Sequence, residues 1–291
     1  MVSSNGPILP NLLIIGAPRC GSTWLHGLIG SHPDAFMSRR KELEFFHRAD
    51  GRGLDRYARH FAGGAGRKVV GEATPSYLYD ATARRRIAAA LPDVRLVLIL
   101  RDPVARLVSH HAHAVRTEGF RGSFEDFIER QPQQIDWGRY AGHLSPWLDR
   151  FGPSRVLILI LEEPNTRERL GAFLGLDPGA FQTQVAAGFA NGRQVPRWPQ
   201  VSALLTRGAR RVRSWGLDGA VETIKRLGGS RLAGRGSLPP PKPGTLARLA
   251  AGYAADRGRL EALLGRPIVA WRHAAHAADA AAARPPLARV A

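Results

Sequence analysis

Short apolar runs punctuate this chain and alternate with stretches of helical spacing. Leu12–Ile15 is the first run, wholly aliphatic and ended by Gly16. Val94–Leu100 is nearly all aliphatic once Arg95 is set aside, and Val156–Leu161 is a third run of the same kind. Runs with so little alternation suit strands buried on both faces. Lys68–Gly71 gives a weaker fourth. Ser22–Ile29 opens a helix directly behind the glycine turn. Apolar residues at three- and four-residue intervals predict further helices at Leu54–Phe61, Ala81–Ala90, Val104–Arg116, Phe124–Glu129, Tyr140–Phe151 and Thr166–Leu174. Strands alternating with helices predict an α/β fold, a parallel sheet flanked by helices.

The pattern changes after about Gly188. Residues 191–248 hold twelve Lys and Arg against Asp218 and Glu222. Val201–Leu227 keeps helical spacing interrupted by glycine. Pro239–Pro241 and Pro243 break it, and Leu246–Leu264 predicts a last helix, so the C-terminal third is expected to be mostly helical. The tail from Ala274 is Ala-rich, carries Pro285 and Pro286, and is expected to fray. The resulting expectation is one domain over residues 1–273, with a basic segment at 191–248, and a tail over 274–291. No internal repeat is visible.

Composition alters this picture chiefly through charge. The 291 residues carry 42 Lys and Arg against 24 Asp and Glu, a net +18. All but Lys41, Lys68, Lys225 and Lys242 of those cations are Arg, a bias that a GC-rich genome also produces. The excess predicts affinity for anions such as nucleotides, acidic membranes, nucleic acid or acidic glycans. Cys20 is the only cysteine, so no intramolecular disulfide forms, which suits a reducing, cytoplasmic setting. The N-terminal apolar stretch lacks a basic region before it and runs into the glycine turn, as a buried strand does and a signal peptide does not.

The first candidate chemistry lies in that turn. Gly16-Ala17-Pro18-Arg19-Cys20-Gly21-Ser22-Thr23 has the spacing of a Walker A loop with Ser22 where the lysine belongs. A strand–turn–helix still presents backbone N–H groups and a helix N-terminus to a phosphate. Gly21 lets the backbone approach, the Ser22 and Thr23 hydroxyls add donors, and Arg19 supplies a full charge. The missing lysine argues against an ordinary ATPase or GTPase. A second cluster follows the Val94–Leu100 run. Arg101 sits at the carboxyl end of that strand, where ligands gather in open α/β sheets. Ser109 lies eight residues on, about two helical turns away.

These motifs resemble the sulfotransferases that use 3′-phosphoadenosine-5′-phosphosulfate (PAPS). Ile15–Thr23 with Ser31-His32-Pro33 looks like the family's 5′-phosphosulfate loop. Many members have Lys at the place of Arg19, so the charge is kept in a different shape. The resemblance implies donor binding by Arg19, Cys20, Gly21, Ser22, Thr23, Trp24 and Arg193. It also implies a 3′-phosphate site of Arg101 and Ser109.

Lys41-Glu42-Leu43-Glu44-Phe45-Phe46 resembles the Lys-Glu-x-x-Phe-Phe segment of glycan-type, heparan-sulfotransferase-like members, whose Glu is the usual base. It implies Glu42 as catalytic base, with Arg19 and Lys41 stabilising charge. Glu44 stands where relatives often have His, and it would share a side with Glu42 in an extended segment, which makes it the second candidate, with His47 after it. Gly71-Glu72-Ala73-Thr74-Pro75-Ser76-Tyr77 resembles an acceptor-side segment, with Ala73 where several relatives have Lys. Thr74 and Tyr77 are then acceptor-lining residues, and Tyr77 is equally suited to the core.

The resemblance spans roughly residues 11–272 and implies a P-loop-like fold, PAPS as co-substrate and no metal. The acceptor is a small molecule or glycan bearing a hydroxyl. The basic segment reads as a donor lid, an acceptor surface, a face for anionic lipid or a solvated face. Two other readings of the charge and the loop are a P-loop small-molecule kinase and a nucleic-acid-binding module. No RNP, zinc-finger or helix-turn-helix pattern accompanies the charge, so no specific nucleic acid is expected.

Overall fold

In the computed structural model, residues 6–48, 53–182, 194–196 and 235–271 are described. They fall into two compact units. One holds residues 6–103, 139–182 and 252–271. The other holds 104–138, 194–196 and 235–251.

The first unit is built on β1 (Leu12–Gly16), followed by α1 (Ser22–Gly30), β2 (Ala35–Met37), α2 (Leu54–Ala58), β3 (Val69–Ala73), α3 (Ala81–Ala90) and β4 (Arg95–Leu100). The second unit takes in nearly all of α4 (Pro103–His113), then α5 (Phe124–Arg130) and α6 (Gln133–Asp136). The chain then returns to the first unit with α7 (Tyr140–Phe151), β5 (Val156–Ile160) and α8 (Thr166–Leu174). The short strands β6 (Gln194–Pro196) and β7 (Arg235–Ser237) pair antiparallel in the second unit. A last helix, α9 (Pro243–Leu264), begins in the second unit and ends in the first.

The five-stranded sheet has the order β2-β3-β1-β4-β5 and every neighbouring pair is parallel. All five residues of β1 and all five of β3 are buried, as expected of strands covered on both faces. The register sets Leu13 beside Glu72 and Ile14 beside Ala73. It shifts between Ile14 and Gly16 against β4, where the chain leaves the sheet. β1 lies at the switch point, because the chain crosses first to one side of it and later to the other. In such sheets the crevice beyond the carboxyl ends of the strands is the usual ligand site.

The predicted elements mostly stand, with differences at their ends. Helices α3, α7 and α8 have the predicted limits. Asp80 caps α3 by accepting from the Thr82 and Ala83 N–H groups, and Ser123 with Asp126 forms a capping box at the start of α5. The predicted Leu54–Phe61 helix tightens after Ala58 into a 3₁₀ turn over Arg59–Gly64. The last helix starts at Pro243, three residues before the expected Leu246, because proline is tolerated at the first helical position. The expected Val201–Leu227 helix and the tail from Ala274 lie outside the described residues.

Candidate functional site

Three segments leave the sheet at the carboxyl ends of its adjacent strands β1, β3 and β2. The first is the β1–α1 turn. The Ala17 N–H bonds the Ile99 carbonyl at 2.9 Å and the Cys20 N–H bonds the Ala17 carbonyl at 3.2 Å, which closes the turn. Gly21 has φ 95°, and a Cβ there would sit 3.0 Å from Leu161 Cδ1. The left-handed dihedral therefore favours glycine, and a Cβ would press on the Leu161 methyl. Helix α1 makes its first bond from Leu25 N–H to the Gly21 carbonyl and has no side-chain cap. The N–H groups of Ser22, Thr23 and Trp24 have no intrahelical partner and lie at the positive end of the helix dipole. Such an arrangement suits an anion.

The second segment follows β2 and carries Lys41. Its Nζ donates to Ser22 Oγ at 3.3 Å and to Glu42 Oε1 at 3.2 Å. The ammonium thus joins the first residue of α1 to the carboxylate of Glu42. The Lys41 side chain is only 16% exposed, and Glu42 is 36% exposed. Burial lowers the Lys41 pKa, the Glu42 carboxylate works against that, Arg19 lowers it further and Glu72 raises it. Arg19, at φ 69° in the turn, is therefore near enough to compete with Lys41 for negative charge.

The third segment follows β3. Glu72 is wholly buried, yet three hydroxyls converge on its carboxylate. Tyr57 Oη donates to Oε1 at 3.2 Å, Thr74 Oγ1 donates to Oε2 at 2.7 Å, and the Tyr77 hydroxyl bonds the same carboxylate. Burial pushes the Glu72 pKa from an ordinary 4.5 up to about 7, against the pull of those hydrogen bonds and with a further push from Glu42. A carboxyl raised in the folded state stabilises the fold fully below about pH 4.5, and that contribution is lost as pH rises through about 7. Urea melts of the native chain and Glu72→Gln should therefore diverge. The native chain is expected to lose about 3 kcal/mol relative to the variant between about pH 4.5 and 8. Parallel curves would contradict the buried, titrating carboxyl.

The remaining expected site residues are spread more widely. Glu44 has φ 54°, so the segment is not extended there and Glu44 does not share a side with Glu42 by strand alternation. Its carboxylate lies 3.7 Å from Arg48 in an exposed pair, and its N–H donates to Thr74 Oγ1 at 3.3 Å. His47 hydrogen-bonds Asp80 at 2.7 Å and Ser76 at 2.9 Å, which ties it to the cap of α3. The Tyr77 hydroxyl is buried and accepts the Phe46 N–H at 3.2 Å.

Cys20 is buried with its sulfur 3.5 Å from Tyr140 Oη. Thr23 is exposed, and Trp24 packs against the core of the first unit. Arg101 Nε lies 3.9 Å from Glu162 Oε1, and Glu162 also accepts from the Asp102 N–H and from Trp271 Nε1. Ser109 is half-buried on α4, in the second unit. Arg193 lies outside the described residues, as does most of the basic segment.

Residues 9–185 match the family described as the sulfotransferase domain. The chain belongs to the sulfotransferase family. Among curated relatives it is 32% identical over 182 residues to mouse heparan sulfate glucosamine 3-O-sulfotransferase 3B1, covering 58% of this chain and 46% of that protein. It is 30% identical over 137 residues to the membrane-associated sulfotransferase kil1 of Dictyostelium discoideum, covering 44% of this chain and 29% of the relative. This sulfotransferase thus spans less than half the length of both. A solved sulfotransferase from Alicyclobacillus acidocaldarius superposes with a TM-score of 0.64 at 26% identity, covering 91% of this chain and 99% of that one. Among the described residues of the sulfotransferase, no helix is long and apolar enough to cross a membrane, and no group of three or more His, Cys, Asp or Glu is placed to hold a metal ion.

Sequence reasoning named the turn and Lys41–Phe46 but placed Glu72 only within an acceptor-side segment, with no role of its own. The polar pair Glu72 and Thr74 behind an apolar run was the available signal for a buried hydrogen-bonded carboxylate.

Proposed function

We propose that this sulfotransferase moves the sulfuryl group of PAPS to a hydroxyl on a sugar, glycolipid or secondary metabolite, with Glu42 as general base. One observation carries the reading. Lys41 Nζ is hydrogen-bonded at once to Ser22, at the anion-binding end of α1, and to Glu42. The proposed donor loop and the proposed base therefore meet at one cation.

PAPS, when bound, supplies the sulfuryl group and leaves as adenosine 3′,5′-bisphosphate. A bond forms from the acceptor oxygen to sulfur as the bond from sulfur to the 5′-phosphate oxygen breaks, and that oxygen keeps the electron pair. Glu42 takes the acceptor's proton as the new bond forms. Lys41, Arg19 and the first-turn N–H groups of α1 face the growing negative charge on the phosphate. The partial exposure of Glu42 gives an outside acceptor access to it. A net charge of +18 favours an acidic glycan among the acceptors, and the relatives named for heparan sulfate point the same way.

Arg101 and Ser109 are assigned to the 3′-phosphate on the sequence resemblance. Arg193 and the basic segment are assigned to a donor lid or an acceptor surface. Calorimetric titration tests the first assignment. Arg101→Ala and Ser109→Ala are each expected to weaken the bisphosphate roughly 10- to 100-fold, the worth of a charged hydrogen bond. Affinity for adenosine 5′-phosphosulfate, which lacks the 3′-phosphate, should barely change. Equal losses for both ligands would overturn the assignment.

A further inference from the structure

Glu72 has a use that base chemistry does not require. Its carboxylate is buried, touches no proposed reactant, and sits behind Lys41–Phe46. The Thr74 hydroxyl directs its proton at Glu72, and the Tyr77 hydroxyl lies within hydrogen-bonding reach of both Glu72 and Thr74. Each hydroxyl also offers a lone pair in the other direction. Those lone pairs receive the backbone N–H of Glu44 at 3.3 Å and of Phe46 at 3.2 Å. An ionised carboxylate is an acceptor only, so it fixes the direction of both relays.

We propose that Glu72 is a positioning residue, whose ionised carboxylate orients the Thr74 and Tyr77 hydroxyls so that they clamp the backbone of Lys41–Phe46 and set Lys41 and Glu42 in place. The inference rests on reading that segment as the catalytic one. A protonated Glu72 would bring a fourth proton to two oxygens already taken by Tyr57, Thr74 and Tyr77. That proton competes with the three hydroxyls as a donor, and a Thr74 or Tyr77 proton displaced by it faces an N–H donor. The clamp is therefore expected to loosen as Glu72 gains its proton, near pH 7. The titratable and charged groups that bear on it are Glu42 and Lys41 from the segment after β2, Tyr57 from α2 and Tyr77 from the turn after β3. Tyr57 is itself pushed well up by burial and by Glu72, so it keeps its proton throughout.

The test is amide hydrogen exchange on the whole chain without any ligand, across about pH 6 to 8, corrected for intrinsic exchange. Protection of the Glu44 and Phe46 amides is expected to fall roughly fivefold below an inflection near 7, the worth of one hydrogen bond. Glu72→Gln should hold both amides at the lower level with no inflection. Thr74→Val should deprotect Glu44 alone and Tyr77→Phe should deprotect Phe46 alone, which keeps the test decisive if Glu72→Gln fails to fold. A pH-independent native profile, or an inflection that survives Glu72→Gln, would overturn the proposal. Because no donor or acceptor is present, this outcome is separate from whether sulfuryl transfer is found. Where transfer is measured, its turnover should fall with the same inflection while affinity for the bisphosphate does not.

Discussion

Glu42→Gln is expected to slow sulfuryl transfer by roughly 10²–10⁴-fold, the usual contribution of a positioned base. Affinity for adenosine 3′,5′-bisphosphate should change little. Gln keeps the shape of Glu and one oxygen acceptor for Lys41 Nζ, so the loop geometry should survive. What disappears is a carboxylate able to take the acceptor's proton. Single-turnover transfer from radiolabelled PAPS measures the loss, and calorimetry measures the affinity. Glu44→Gln should cost far less, because its carboxylate pairs with Arg48 at an exposed position. If the Glu44 variant is the slow one, the base is on the wrong carboxylate. If neither variant is slow, the segment is structural.

Lys41→Ala is expected to fail differently, losing donor affinity and rate together, by roughly 10²-fold or more in turnover. Lys41 touches both Ser22 and Glu42. Its removal takes a cation from the anion site and a partner from the base in one step. Lys41→Arg should recover only part of the loss, since a planar fork cannot occupy the place of a compact ammonium between two acceptors. The native enzyme should also weaken its grip on the donor at alkaline pH, because burial lowers the Lys41 pKa and the neutral amine has no charge to offer. Wild-type affinity and turnover in Lys41→Ala would remove the cation from the mechanism.

The parts of the fold that were legible in the sequence are those whose physics is local. Leu12–Ile15, Val94–Leu100 and Val156–Leu161 are wholly or nearly aliphatic because parallel strands are buried on both faces. Asp80 and Ser123 mark helix starts because their side chains satisfy open N–H groups. Strand β2 was missed, since Ala35-Phe36-Met37 is too short to show a period and lies at the sheet edge. β3 was ended too early, because Glu72 breaks an apolar run although it continues the strand.

The site divides in the same way. Its glycine turn is a local pattern, readable from Gly16 to Thr23. The contacts that make it a site join residues 19, 30 and 31 positions apart, as in Ser22–Lys41, Glu44–Thr74 and Phe46–Tyr77. Parallel topology brings them together by placing the ends of β1, β3 and β2 side by side, and no spacing in the sequence states that. The conformation at Glu44 is another non-local outcome. Read as extended, the segment would put both carboxylates on one side, whereas the left-handed turn at Glu44 ends the alternation.

The most direct test follows the sulfur itself. The chain is incubated with sulfur-radiolabelled PAPS, a chelator and a panel of glycan, glycolipid and small hydroxyl acceptors. The account predicts label in a sulfate ester of an acceptor, matched mole for mole by released adenosine 3′,5′-bisphosphate and lost in Glu42→Gln. Label released only as inorganic sulfate would contradict it, as would transfer that stops on chelation or a chain that moves phosphate from ATP.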